Sequence, residues 1–281
     1  MRLLVTGAGG QLGVDVVRHA TAAGDDVVGV DRTALDVSDR DAVMALVADV
    51  RPDAVINAAA YTAVDACETN ADVAYAVNAA AVGHLADACG AVGAHLVHVS
   101  TDYVFDGTLD RPYREDDAPN PRSVYGASKL AGEQAAGAAA TIARTSWVCG
   151  EHGNNMVKLV LRLAADPDQQ LAFVDDQRGC PSFTADLAPA LCTLARERSP
   201  GIFHLTNSGA VSWYEFVAEI LRAAGHDPAR VRAISTAELD PPRPAPRPAN
   251  SVLDNAAWRA AGHPPLRDFR EPLAELVARL R

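Results

Sequence analysis

An apolar run that breaks into spaced glycines and reopens as a helix leaves a chain few folds to choose from. This chain does so within its first 22 residues. Leu3-Leu4-Val5-Thr6 has the character of a buried strand and passes directly into Gly7-Ala8-Gly9-Gly10-Gln11-Leu12-Gly13, after which helical spacing runs through Val14, Val17 and Ala20. Glycines at 7, 10 and 13 permit a tight turn whose backbone N–H groups, with the positive end of the helix, approach a pyrophosphate. The strand before and the helix after set this apart from an ordinary glycine-rich turn. A second strand, Asp26-Val27-Val28-Gly29-Val30, leads into Asp31, a carboxylate eighteen residues beyond Gly13 that suits the adenosine ribose hydroxyls of a dinucleotide. Arg32 beside it suits a 2′-phosphate, so NADH and NADPH both stay open.

The same alternation continues. Leu35-Asp36-Val37-Ser38 ends in an N-cap for a helix through Val43, Leu46 and Val47, and Pro52 follows it. Ala54-Val55-Ile56-Asn57 is a third strand that leaves through Ala58, Ala59 and Ala60, side chains small enough for a cofactor to approach. Helical spacing resumes from about Asp72 to Val92, and a fourth strand ends at Ser100. Four strand-then-helix units predict right-handed crossovers and a Rossmann-type doubly wound parallel sheet, an α/β fold. Its site should lie at the carboxyl ends of the strands, where Gly10, Asp31, Ala59 and Thr101 fall.

Tyr125 and Lys129 stand four apart, one turn apart on one face if the segment is helical. An ammonium beneath a phenol favours its ionised form and makes tyrosine a usable acid. After another strand, Thr141 to Val148, Gly153-Asn154-Asn155-Met156-Val157-Lys158 opens a helix whose N-terminus suits a substrate phosphate. The alternation then loosens: a strand at Leu171 to Asp176, a helix from Thr184 to Ala195, a strand at Ile202 to Leu205 and a helix from Ser212 to Ala224. We expect a dinucleotide-binding domain over residues 1–150, taking in roughly 180–205, and a smaller α+β domain, mainly for substrate, over residues 151–281.

Charge decides what else the chain can bind. Lys plus Arg total 25 against 36 Asp plus Glu, a formal net charge of −11 with no basic block, which speaks against nucleic acid and anionic membrane as partners. The five cysteines are scattered without a C-x-x-C pair and read as reduced thiols of a cytoplasmic protein. The opening apolar run is too short for a signal peptide, and nothing approaches the ~20 apolar residues of a membrane span. The carboxylates of the Asp106 to Pro121 segment read as a solvated loop rather than a metal site. His95 and His98, three apart on a strand, face opposite sides of the sheet and read as structural. Pro241 to Pro248 is either a linker or a stiff loop that aims Arg243 or Arg247 at a ligand phosphate. No G-x-S-x-G elbow supports serine hydrolysis.

Gly7-x-x-Gly10-x-x-Gly13, Asn57-Ala58-Ala59, Ser100-Thr101-Asp102 and Tyr125-x-x-x-Lys129, in this order, resemble the extended short-chain dehydrogenase/reductase family. Within it, Ser100 to Gly107, Tyr125 to Glu133, Gly150 to Asn155 and Asp175-Asp176-Gln177-x-Gly179-x-Pro181 are similar to the dTDP-4-dehydrorhamnose reductases, over nearly the whole chain. That resemblance implies NADPH- or NADH-dependent reduction of the C4 ketone of dTDP-4-dehydro-L-rhamnose to dTDP-L-rhamnose. It implies Tyr125 as the acid, Lys129 as the group that lowers its pKa and holds the nicotinamide ribose, and Thr101 as a hydrogen-bond donor to the carbonyl oxygen. Gly10, Gln11, Leu12, Asp31, Asp36, Val37 and the run Ala60, Tyr61 and Thr62 would contact the cofactor. Thr62, Val64, Asp102 and Trp147 would line the sugar nucleotide, with a core aromatic as the other reading of Trp147. Cys149, Cys180 and Tyr61 depart from the family pattern, on what we expect to be the substrate side, and keep other dTDP-4-keto-6-deoxysugars open as substrates. Some members bind magnesium between subunits, but no residue of this sequence carries that over, and monomer and homodimer both stay open. A dehydratase would carry Glu where Tyr103 stands. An epimerase that retains its NAD and a non-catalytic nucleotide-binding subunit are the remaining alternatives.

Overall fold

A computed structural model describes residues 1–166 and 169–281. The first half alternates as the sequence predicts: β1 (Arg2–Thr6), α1 (Gln11–Ala22), β2 (Asp26–Val30), α2 (Arg40–Val50) and β3 (Ala54–Asn57). Two short helices, α3 (Val64–Cys67) and α4 (Ala71–Tyr75), lead through a π-helical turn at Ala76–Ala80 into α5 (Ala81–Val92) and β4 (His95–Thr101). A 3₁₀ turn at Asp102–Val104 precedes α6 (Val124–Ala136), β5 (Thr141–Thr145) and β6 (Val148–Cys149). The remainder comprises α7 (Met156–Ala164), β7 (Leu171–Val174), β8 (Arg178–Gly179), β9 (Ser182–Phe183), α8 (Thr184–Glu197), β10 (Gly201–His204), β11 (Val211–Ser212), α9 (Trp213–Ala223), β12 (Val231–Ile234), α10 (Ala256–Ala260) and α11 (Arg270–Leu280).

Six strands form one sheet in the order β10-β5-β4-β3-β1-β2, every neighbouring pair parallel. Strand order reverses at β1, where β2 lies on one side and β3 on the other, and ligands bind at such a switch point in open α/β sheets. Helices cover both faces, which is why the strands read as nearly continuous apolar runs. Leu3, Val5, Ile56 and Val97 pack against the Leu12, Val16 and Ala20 stripe of α1 and the Leu187, Leu191 and Leu194 face of α8. Leu4, Val55 and Leu96 turn the other way, toward Val43 and Val47 of α2 and Val82 and Leu85 of α5. A separate core joins Val157 and Val160 of α7, Phe216 and Ile220 of α9 and Leu273 and Leu276 of α11.

Two local predictions change. Asp39, not Ser38, caps α2, its side chain accepting the Ala42 N–H at 3.1 Å. Ser38 instead donates to Asp36 and so closes the preceding turn. The helix expected from Asp72 to Val92 is interrupted by the π turn, because Asn78 directs its side chain into the protein and bonds the Tyr61 backbone. No helix among the described residues is long and apolar enough to cross a membrane.

Candidate active site

The glycine turn is built against the neighbouring strand. Gly7 has φ +69°, and a Cβ there would lie 2.7 Å from the Ala59 backbone nitrogen; one on Gly13 would lie 2.1 Å from the Gly7 carbonyl oxygen. Both positions therefore exclude a side chain, so the mouth of the turn is bare backbone at the N-terminus of α1. Gly10, Gln11 and Leu12 line the adjoining cleft of about 620 Å³, and Ala58, Ala60 and Thr62 line its β3 side. A dinucleotide fits this cradle of bare backbone.

The reacting end is set by β4 and α6. Ser123 caps α6 by accepting the Gly126 N–H at 3.1 Å. A Cβ on Gly126 would stand 2.1 Å from the Tyr103 carbonyl oxygen, and one on Gly132 would stand 2.0 Å from that of Asn78. The helix thus touches the 3₁₀ turn and the π turn backbone to backbone, and this contact brings Tyr125 and Lys129 to the same cleft wall as Thr101 and Asp102. Asn78 locks the arrangement: it accepts from Tyr61 N at 2.8 Å and donates to Tyr61 O and to Ser128 Oγ, both at 3.1 Å.

The electrostatics differ from the sequence expectation at one point. Burial raises the Tyr125 phenol above its ordinary range, outweighing a hydrogen bond with Thr101 that favours the ionised form. Lys129, 2% exposed, is itself brought down to about 8 by burial, against the pull of Glu133. Its ammonium nitrogen donates to the Val99 carbonyl at 2.6 Å. In this structure, then, desolvation opposes the lowering of Tyr125 that the tyrosine–lysine spacing predicts. Asp102 is pushed up to about 6 by burial, while bonds from Ser251 and Thr101 hold it down. The Thr101 hydroxyl donates to Asp102 Oδ1 at 2.9 Å. Tyr103 packs edge-on to Tyr125 with ring centroids 5.7 Å apart.

Not every predicted contact reaches this cleft. Asp31 and Arg32 are exposed at the end of β2, beside Gly9; Asp31 Oδ1 accepts from Thr33 N at 2.9 Å and from the Thr33 hydroxyl, which hold the carboxyl below its usual range. Asp36 is exposed and bonded to Ser38, Val37 is half-buried, and neither lines the cleft. Ala59 supports the glycine turn, and Tyr61 is tied by its backbone to Asn78. Val64 and Trp147 do line the cleft. Cys149 and Cys180, expected on the substrate side, are at most 3% exposed, and burial raises their thiols to about 12 and about 11. In the Asp110 to Asp117 segment Asp117 grips Arg111, while Glu115 reaches across the fold to accept the His204 and Ala257 N–H groups. Among the described residues no three carboxylate, histidine or cysteine side chains stand together as a metal site.

Three features were missed in the sequence. Trp213 stacks on Trp147 with centroids 3.5 Å apart and planes 9° off parallel, and both line the cleft. Trp147 has φ +48°, and Gly179 is bare because a Cβ there would meet the indole at 2.6 Å. The proline-rich segment is no free linker: Arg247 forms a two-pronged pair with Asp65 of α3, and Ala245 N donates to the same carboxylate at 3.1 Å. Gln11 joins the two cores, donating to Val148 O at 2.9 Å and accepting from Asn155 Nδ2 at 2.6 Å. Asn155 caps α7 through its Oδ1, and Lys158 donates to the Gly153 carbonyl at 3.0 Å.

A parallel sheet with a bare glycine turn at its switch point, and a tyrosine, lysine and threonine beside that turn, defines a reductase of the short-chain dehydrogenase/reductase class that uses a nicotinamide dinucleotide. More narrowly, the chain belongs to the family described as RmlD substrate binding domain, which matches residues 1–281. It is 47% identical over 283 residues to a dTDP-4-dehydrorhamnose reductase of Streptomyces griseus, with 98% of this chain and 92% of that protein covered. It is 43% identical over 280 residues to a probable dTDP-4,6-dihydroxy-2-methyloxan-3-one 4-ketoreductase of Streptomyces antibioticus, with 98% and 94% covered. The crystal structure of dTDP-4-dehydrorhamnose reductase from Bacillus anthracis in complex with NADP superimposes with a TM-score of 0.94 at 36% identity, covering 99% of each chain.

Proposed function

We propose that this protein reduces the C4 ketone of dTDP-4-dehydro-L-rhamnose to dTDP-L-rhamnose with NADPH or NADH. The observation that carries this reading is the single cleft in which Gly10 and Gln11 meet Thr101, Tyr125 and Lys129. Family membership across the whole chain supports it. The bound nicotinamide supplies a hydride. Thr101 donates to the carbonyl oxygen and holds it beside Tyr125, whose O–H breaks as the product O–H forms. Lys129 carries positive charge at the foot of this pair and steadies the phenolate left behind. Gly7, Gly10, Gly13, Gln11, Leu12 and Ala58 to Thr62 hold the dinucleotide, and Asp31 and Arg32, with Asp36 and Val37, border its adenosine end. Thr62, Val64, Asp102 and Trp147 hold the sugar nucleotide.

The same reading divides the chain into a dinucleotide-binding unit over residues 1–150 together with about 180–205, and a substrate unit over most of 151–281. The placement of α8 and β10 on the large sheet supports the division. The protein works in the cytoplasm as a monomer or homodimer.

The test follows loss of reduced nicotinamide with dTDP-4-dehydro-L-rhamnose generated in place, with NADPH and NADH in parallel and the product identified by chromatography. Consumption matched by dTDP-L-rhamnose supports the assignment and ranks the cofactors. A second reading, reduction of another dTDP-4-keto-6-deoxysugar, draws on the likeness to the Streptomyces antibioticus ketoreductase. It prevails if only such a sugar is turned over. Dinucleotide binding without turnover of any such sugar would indicate a binding subunit.

A further inference from the structure

A chain of buried polar side chains runs beneath the cleft from β1 to α6. Thr6, Asn57 and His98 are at most 1% exposed. Asn57 Oδ1 lies 3.1 Å from the Ala59 backbone N–H, a group that can only donate, and it also accepts from the Thr6 hydroxyl at 2.7 Å. These contacts fix which end of the amide is oxygen. Nδ2 is therefore the atom 3.0 Å from His98 Nδ1, and Nδ1 accepts. A neutral imidazole whose Nδ1 accepts carries its proton on Nε2. That nitrogen lies 3.2 Å from Lys129 Nζ. Only the amine form of Nζ has a lone pair to receive Nε2–H; an ammonium there sets two donors against each other.

Building on the roles assigned above to Tyr125 and Lys129, we propose that His98 is a positioning residue that presents a fixed Nε2–H to Lys129 Nζ and thereby favours its amine form. Burial acts on Lys129 in the same direction. His98 is held neutral chiefly by its burial, which puts its titration well below the ordinary histidine range. Among the other groups around Nζ, Glu133 lies one turn further along α6 and favours the ammonium, but it is already paired with Arg144 of β5 at 2.7 Å and bonded by Ser100. Tyr125 lies one turn back, and Asp102 of the 3₁₀ turn lines the same cleft.

The consequence concerns proton resupply. Each turnover breaks the Tyr125 O–H bond and forms a product O–H, so Tyr125 must regain one proton. Lys129 can provide it, its N–H breaking as the Tyr125 O–H reforms, and one solvent proton then restores Lys129. A lysine that titrates near the working pH performs this exchange, whereas one locked as ammonium does not.

His98→Ala, which removes the fixed Nε2–H and leaves room for water to accept from Nζ, should move the alkaline limb of the kcat/KM profile upward by about one pH unit. Its affinity for NADPH at neutral pH should stay within about two-fold of wild type. An unshifted limb in the folded variant overturns the proposal. Long-range ¹H–¹⁵N spectra of histidine-labelled wild type test it without turnover: His98 must show the Nε2–H tautomer, and the Nδ1–H tautomer would refute the assignment. If the wild type consumes no reduced cofactor with any keto-sugar nucleotide, the proposed function fails while the tautomer still decides the role of His98.

Discussion

Burial moves Tyr125 up and Lys129 down, each toward its uncharged form, and that gives each a separate test. Removing the phenol hydroxyl in Tyr125→Phe takes away the acid and leaves the walls of the cleft intact. Turnover should fall by roughly 10²–10⁴-fold with NADPH affinity little changed, and stopped-time assays beside fluorescence titration would show it. Unchanged turnover would remove Tyr125 from its role. Lys129 sits near 8 when folded against 10.5 for the free side chain. The folded protein therefore binds fewer protons than the unfolded chain between those values, and its stability rises with pH through that window. Below it the buried ammonium costs on the order of 3 kcal/mol. Lys129→Met should abolish turnover while raising the urea midpoint near neutral pH; a lower midpoint would mean that the ammonium is a net stabiliser.

At the scale of elements, the chemistry depends on how closely α6 approaches its neighbours. Gly132→Ala would drive a methyl into the Asn78 carbonyl and should cost about 1–3 kcal/mol. Because that carbonyl belongs to the π turn, the shift should also disturb Tyr61 and weaken NADPH binding, which calorimetry would detect. Glycine in Tyr125-Gly126-Ala127-Ser128-Lys129 was visible in the sequence; its reason was not. The alternation of strands and helices, the glycine turn and the tyrosine–lysine face were legible because each depends on residues close together in the chain. The π turn was not, since it depends on Asn78 reaching Tyr61 seventeen residues upstream. Nor was the contact of His98 with Lys129, although the expectation that His95 and His98 face opposite sides did place His98 on one face. The sequence predicts a strand at Ile202 to Leu205 with the dinucleotide-binding domain, but no local pattern announces that its partner is β5, more than fifty residues upstream. Arg247 illustrates the same limit: its spacing among prolines suggested a stiff loop, and only the fold supplies Asp65.

Across the whole molecule, buried histidines set the response to acid. His204 is held near 3 by burial and by Arg144, and His98 is held well below its ordinary value. The unfolded chain takes up protons on these rings as pH falls below about 6.5 while the folded protein refuses them, so stability is lost on that side. Asp102 acts in the opposite sense between 3.8 and about 6, too weakly to offset two histidines. The urea midpoint should drop between about pH 7 and pH 5, and His204→Phe should flatten the drop. A midpoint that holds steady would contradict this.

The paired indoles at the cleft give the protein an optical property of its own. Two of its three tryptophans, Trp147 and Trp213, lie in near-parallel contact, while Trp258 is stacked on His263 elsewhere. Transition dipoles that close couple, so the circular dichroism of the folded protein should carry a split band that Trp213→Phe abolishes. A sugar nucleotide entering beside the pair would perturb that band, and a reduced nicotinamide nearby would accept its emitted energy. Occupancy of either half of the cleft then becomes readable in an unlabelled sample, by colour rather than by turnover.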